Sequence, residues 1–281
     1  AMGNAVAGLA FLPPVRSAGE LGALRQEPRF VFVPGADTAE PVAALHFDRG
    51  APITVLYSHA NAEDLLDVKG SLGVLSEHLN VNVLGYDYHG YGLSGGSCSE
   101  AACCLAARAC FNYLLDQGAD RSSIVLMGRS LGTGPTIDLA AQEPGVAGAV
   151  LQSPLLSVLR TRLSERLASA MEGADLFVNG SKITAVVCPV FVIHGGGDWI
   201  VPREHGEELA RRAPNAVRPW WVDDCGHNDI SGHPEYLGKL AEFLHFARAR
   251  QKRQWEETVA SFAPNMMVRW KEPRKILLTA M

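Results

Sequence analysis

The sequence is short of several things. No apolar stretch approaches the ~20 residues of a membrane-spanning helix. The longest, "VVCPVFVI" at 186–193, is interrupted by a proline and fits a buried strand. Positive charge is not in excess: 25 Lys and Arg stand against 30 Asp and Glu, so the net charge is −5 and no broad field draws the chain to nucleic acid. The opening "AMGNAVAGLAFLPP" has no basic segment ahead of its short apolar run, so it does not read as a secretory signal. Gly3 after Met2 is an N-myristoylation position if the methionine is removed, although Ala7 stands where that motif wants Ser or Thr. The six cysteines lack the paired histidine spacing of a zinc site. Cys98, Cys103, Cys104 and Cys110 crowd one predicted helix and read as reduced thiols in a cytosolic protein, with Cys188 and Cys225 apart. No metal and no cofactor is expected. There is no internal repeat and no low-complexity linker.

What is present is an alternation. "RFVFV", "VAALHF" and "ITVLYS" within residues 28–58 read as strands. A helix follows at 62–79, a strand at 81–88, a helix at 99–117, and a strand at "SIVLMG". A helix at "LGTGPTIDLAAQ" and a strand at 146–153 come next. The sequence closes with a strand at "CPVFVIHG", a helix at 203–213, a strand at "VRPWWVD" and a helix at 234–250. The strands are continuous apolar runs, which implies a mostly parallel sheet covered by helices on both faces. The opening strands have no helices between them and should form an antiparallel edge. The expected organisation is one α/β domain over 1–250, a short lid insertion at 154–185, and a basic, aromatic tail at 251–281.

Within this pattern, Gly128-Arg129-Ser130-Leu131-Gly132 satisfies G-x-S-x-G between a predicted strand and helix. A sharp turn there strains Ser130, presents its hydroxyl at the carboxyl end of the sheet, and aims the Leu131 N–H of the new helix at the same place. The plain alternative is a tight turn holding a small polar residue. A nucleophilic hydroxyl needs a base, and the base an orienting acid. Strand-end loops downstream offer Asp198 in "HGGGDWIVP" and His227 in "DDCGHND", in the order Ser, acid, His. Asp223 and Asp224 are rival acids, but they lie too close in sequence to His227 to reach it easily, so Asp198 is preferred. His194 is expected to support its loop, and His205, His233 and His245 to be solvated. A second backbone donor for an oxyanion is expected from "YSHANAED", with Asn61 as the candidate, Ala60 as runner-up and His59 as a brace.

Together "SHANAEDL", "YDYHGYGLSGG", "GRSLGTGPTIDLA", "LQSPLLS", "HGGGD" and "CGHNDI" resemble the α/β-hydrolase-domain-containing 17 (Bem46-like) group of α/β-hydrolase fold serine hydrolases. The resemblance runs over about residues 11–248, from "FLPP" onward. It implies Ser130, Asp198 and His227 as the triad and Leu131 and Asn61 as oxyanion donors, with Tyr88 and Tyr91 shaping the loop beside the pocket. It also implies removal of palmitate from protein cysteines. The chain departs from the family pattern at Ala60, where glycine is usual, and at Arg129, where the residue is commonly neutral; the guanidinium is expected to find a carboxylate. The family's cysteine-rich N-terminal attachment segment has no counterpart in the opening residues.

The expected function is cleavage of acyl esters or thioesters through an acyl-enzyme, with S-acylated proteins as substrates. A short-chain carboxylesterase, an amidase or peptidase, and a non-catalytic binding module of the same fold are the alternatives. Trp199, Leu155, Leu156 and Tyr91 are the expected substrate contacts, "LLSVL" and "MEGADLF" in the insertion supply further apolar candidates for an acyl-chain wall, and Cys225 is a buried filler. The tail, with six Lys and Arg among Trp255, Phe262, Met266, Met267 and Trp270, has the composition for peripheral contact with an anionic membrane. Oligomeric state is not legible.

Overall fold

Strands β3 (Thr54–Ser58), β4 (Asn82–Tyr86), β6 (Gly148–Gln152) and β7 (Val190–Gly195) are buried at every position. β5 (Ile124–Arg129) is buried at all but its last. Residues with no solvent-facing side belong in a sheet covered on both faces, and the computed structural model has that arrangement. It describes residues 10–36, 40–161 and 175–250, with 163, 167, 168, 171, 173 and 253. Gly3, positions 162, 164–166, 169, 170, 172 and 174 of the expected lid at 154–185, and the tail at 251–281 apart from position 253 lie outside the described residues.

With β1 (Phe30–Val33), β2 (Val42–Phe47) and β8 (Trp220–Val222), the strands form one eight-stranded sheet in the order β1-β2-β4-β3-β5-β6-β7-β8. β1 and β2 run antiparallel to each other, and β2 to β4; β3 through β8 are parallel. The chain goes from β3 outward to β4 and then returns to place β5 on the other side of β3. The carboxyl ends of β3 and β5 therefore adjoin at the point where strand order reverses, with Ser58 opposite Gly128, and such a crevice is where open α/β sheets bind ligands.

Helices α1 (Ala18–Arg25), α2 (Leu65–Leu79) and α6 (from 236, described to 250) cover one face through Leu24, Leu72 and Phe243. Helices α3 (Glu100–Asp116), α4 (Thr133–Gln142) and α5 (Arg203–Arg212) cover the other through Phe111, Ile137 and Leu209. α2 starts at Leu65 rather than at 62 because Asp64 caps it: its carboxylate accepts the Leu66 N–H at 2.9 Å, and Asp67 returns a bond to the Asp64 N–H. α1 was not expected from periodicity, since Leu24 is its only buried residue. It is announced instead by a capping box, Ser17 with Glu20. Among the described residues, the 154–185 insertion holds the 3₁₀ turns Leu159–Thr161 and Ile183–Ala185, a one-turn α-helix Asn179–Lys182, and helical residues at 167 and 168.

All six cysteines are free; Cys103 and Cys110 pack into the core from α3, and Cys225 is buried near β8. Among the described residues no helix is long and apolar enough to cross a membrane.

Candidate active site

β5 ends at Arg129, and the next residue turns sharply. Ser130 has φ 51°, a left-handed conformation that a residue bearing a Cβ adopts at a cost. The turn Ser130–Gly132 leads into α4, with the Thr133 hydroxyl donating to the Ser130 carbonyl at 2.6 Å. Two glycines make the turn possible. A Cβ at Gly128 would sit 2.4 Å from the Gly132 carbonyl oxygen, and one at Gly132 would sit 2.2 Å from that of Ser58. Both neighbours are backbone and cannot swing aside. Gly132→Ala is therefore expected to destabilise the fold by about 3 kcal/mol, the upper end of ordinary overpacking, read as a lowered urea midpoint.

The turn puts the Ser130 Oγ 2.9 Å from His227 Nε2, and His227 Nδ1 lies 2.7 Å from Asp198 Oδ2. All three residues are buried. With Nδ1–H donating to the carboxylate, Nε2 presents its lone pair to the serine hydroxyl. Asp198 and His227 meet because the loops after β7 and β8 are sewn together: Gly196 N–H donates to the Val222 carbonyl at 2.8 Å and Gly197 N–H to that of Cys225 at 2.9 Å. Asp198 is strongly held. Its Oδ1 accepts Ile200 N–H at 3.0 Å and Val201 N–H at 2.8 Å, and His194 Nε2 stands 3.2 Å from Oδ2. Burial opposes ionisation of this carboxyl, but the bonds from His194, His227 and Val201 outweigh it and hold the acid well below the usual carboxylate range. The rival acids face outward: Asp223 pairs with Arg203 at 3.0 Å, and Asp224 stands 3.7 Å from His233.

The loop after β3 faces the same spot. The Ala60 N–H, the runner-up donor, is taken by Glu63 Oε2 at 3.0 Å, and Asn61 lines the same cleft as Ser130. The Asn61 side chain is fully engaged. Its Oδ1 accepts from Leu12 N–H at 2.9 Å and the Tyr91 hydroxyl at 2.8 Å, and its Nδ2 donates to the Ala10 carbonyl at 2.7 Å. Tyr88 braces the loop through its hydroxyl, 2.6 Å from the His59 carbonyl, and the His59 ring Nδ1 lies 2.7 Å from the Ala60 carbonyl. The left-handed residue in this loop is Ala62, φ 57°, so the Cβ of Ala60 meets no such restriction.

A cleft of about 410 Å³ opens over Ser130, Leu131 and Asn61. Its walls are largely apolar, with Leu155, Val158, Leu159, Leu163, Ile200 and Val201. Of the four expected substrate contacts only Leu155 lies there. Trp199 is 84% exposed, because Asp198 turns inward and its neighbour is left facing solvent. Leu156 points to a separate groove, its N–H donating to His205 Nδ1 at 3.0 Å. Tyr91 is wholly buried and braces Asn61. His205 is likewise not solvated but buried against the insertion. Val158 and Leu159 belong to "LLSVL" (155–159), a run the sequence offers as wall. The lining residues not anticipated are Ala10, Thr161, Leu163, Ile200 and Val201, the last two signalled by the short apolar run after Asp198. A larger groove of about 780 Å³ runs along the β8 edge past Trp220 and Trp221, but it contains none of Ser130, Asp198 and His227.

Alpha/beta hydrolase domain-containing protein 17B of Homo sapiens is 34% identical over 195 residues, 69% of this chain and 67% of that protein. The chain belongs to the alpha/beta hydrolase domain-containing protein 17 family. Two further relatives are the human protein 17C, 38% identical over 202 residues, and the Caenorhabditis elegans alpha/beta hydrolase domain-containing protein aho-3, 40% identical over 192 residues. The matches cover 70% and 68% of this chain, but only 60% and 57% of those two proteins. No family model matches the chain. Among solved structures, the Pyrococcus furiosus esterase Pf2001 superposes with a TM-score of 0.67 at 22% identity, over 84% of this chain and 97% of that one. Mouse alpha/beta hydrolase domain-containing protein 10 superposes with a TM-score of 0.58 at 17% identity, over 79% and 98%. These two show the α/β-hydrolase fold.

Proposed function

We propose that the chain is a serine hydrolase of acyl esters or thioesters that works through an acyl-enzyme. The observation that carries this reading is the hydrogen-bonded series from Ser130 Oγ, in the lining of an apolar cleft, through the His227 ring to Asp198. Ser130 attacks the acyl carbonyl while His227 Nε2 takes its proton. The carbonyl oxygen becomes an anion between the N–H groups of Leu131 and Asn61, the former at a helix N-terminus that favours negative charge. His227 then protonates the departing alcohol or thiol. Water, deprotonated by the same imidazole, releases the acyl group. Asp198 holds the ring in the required tautomer throughout and stabilises its charged form.

The substrate class follows from the walls. A cleft lined by branched aliphatic side chains favours the acyl chain over a polar leaving group, and its volume falls within the roughly 300–1,000 Å³ of small-molecule sites. Family membership extends the reading to S-acyl groups on protein cysteines, with peripheral contact at a membrane as the setting. The test is a series of p-nitrophenyl esters from acetate to palmitate with matched thioesters, after fluorophosphonate labelling of the wild-type protein. Labelling is expected, with kcat/KM holding or rising toward long chains. A sharp maximum at acetate or butyrate would assign the short-chain esterase instead, and a wild-type protein that takes no label would remove the catalytic reading.

A further inference from the structure

Arg129 leaves β5 one residue before Ser130, and both ends of its guanidinium are engaged. Nη1 forms an ion pair with Glu63 Oε1, and Nη2 donates to Asn228 Oδ1 at 2.7 Å. Glu63 spends its other oxygen on the Ala60 N–H at 3.0 Å, and Asn228 is the residue after His227. One cation thus links the loop that carries Asn61, the turn that carries His227 and the strand end that carries Ser130. Its side chain is 13% exposed and that of Glu63 24%, and Arg129 does not line the cleft. A partly solvated ion pair contributes little stability on its own. What a planar fork contributes is geometry, because it fixes two acceptors at a set angle as a lysine cannot.

The oxyanion loop needs such a fix. Ala62, next to Asn61, is held at φ 57°, a conformation that persists only where its surroundings impose it. If Glu63 let go of the Ala60 N–H, the peptides on either side of Asn61 could rotate and carry its N–H off the cleft. If Asn228 were released, the His227 turn would lose its tie to the strand end that carries Ser130.

We propose that Arg129 is a positioning residue: clamped by Glu63 and Asn228, it sets the Asn61 amide and the His227 ring relative to Ser130, and so acts on turnover rather than on substrate binding. The proposal rests on the hydrolase reading above. The experiment compares Arg129→Gln, Arg129→Lys, Glu63→Gln and the Arg129→Gln/Glu63→Gln double variant in ester turnover, thermal midpoint, and hydrogen exchange at 60–63 and 226–229.

Arg129→Gln is expected to lower kcat by roughly 10- to 100-fold, the cost of a small misplacement of reacting groups, with KM within about twofold. Exchange should rise in both loops while the core strands keep their protection. Arg129→Lys should recover the Glu63 arm and only part of the rate. Adding Glu63→Gln to Arg129→Gln should cost little more, as residues in one network do not add. A rise in KM at constant kcat, independent multiplication of the two losses, or activity that falls only with the folded fraction would overturn the proposal. Should the wild-type protein hydrolyse no ester, the hydrolase reading fails by itself and exchange still decides the clamp: faster exchange in both loops of Arg129→Gln supports it, and unchanged exchange refutes it.

Discussion

Ser130→Ala is expected to abolish fluorophosphonate labelling and to cut ester turnover by about 10⁴- to 10⁶-fold, the range seen when a triad nucleophile is removed. The fold should not suffer. The Oγ bonds only to His227 Nε2 among the described residues, and alanine takes the φ of 51° no worse than serine does. The cleft walls and the two candidate oxyanion amides stay where they are, so KM for a long-chain ester should move by less than about threefold while kcat collapses. Labelling by intact mass, with circular dichroism as the folding control, reads the result. A Ser130→Ala protein that still labels, or still turns over at more than a hundredth of the wild-type rate, would move the nucleophile elsewhere.

Asp198→Asn is expected to lower turnover by about 10⁴-fold with the protein still folded, and the reason lies in which oxygen is already committed. Oδ1 accepts two backbone N–H groups, from Ile200 and Val201. An asparagine must therefore place its carbonyl oxygen there and its NH₂ toward His227. Facing a donor, His227 Nδ1 has to become an acceptor, and its proton moves to Nε2, where it points at the Ser130 hydroxyl instead of taking its proton. The geometry survives and the tautomer is wrong, which is the condition under which losses of about 10⁴ arise. Steady-state kinetics at neutral pH measure it. A loss below tenfold would show that the imidazole is oriented by something other than Asp198.

The alternation of apolar strands with helices was readable because a strand buried on both faces leaves a continuous apolar run, and that is a local property of the chain. The turn at Ser130 was readable for the same reason, since two glycines flank a serine where strand pattern gives way to helix pattern. The cleft wall was readable only in part. Trp199 was read as a wall because it adjoins Asp198, and Leu156 as a member of "LLSVL", of which Leu155, Val158 and Leu159 do line the cleft. Adjacency sets position, but neighbouring side chains leave the backbone in different directions, so Asp198 and Leu155 face inward while Trp199 is solvated and Leu156 lies in another groove. α1 escaped notice because one buried leucine makes no period, although its capping box was written in "SAGE".

The sequence by itself determined the order of elements, the nucleophile-type turn and a short set of acids and imidazoles at strand ends. It favoured Asp198 over Asp223 and Asp224 on spacing, but spacing does not bring side chains together. Asp198 meets His227 across 29 positions, and His227 meets Ser130 across 97. Only the tertiary structure turned Asp223 and Asp224 outward, committed the Ala60 amide to Glu63, and ran one arginine between two loops. Polar contacts between segments far apart or on separate loops decide those outcomes, and they exist only once loops from separate strands share one rim of the sheet.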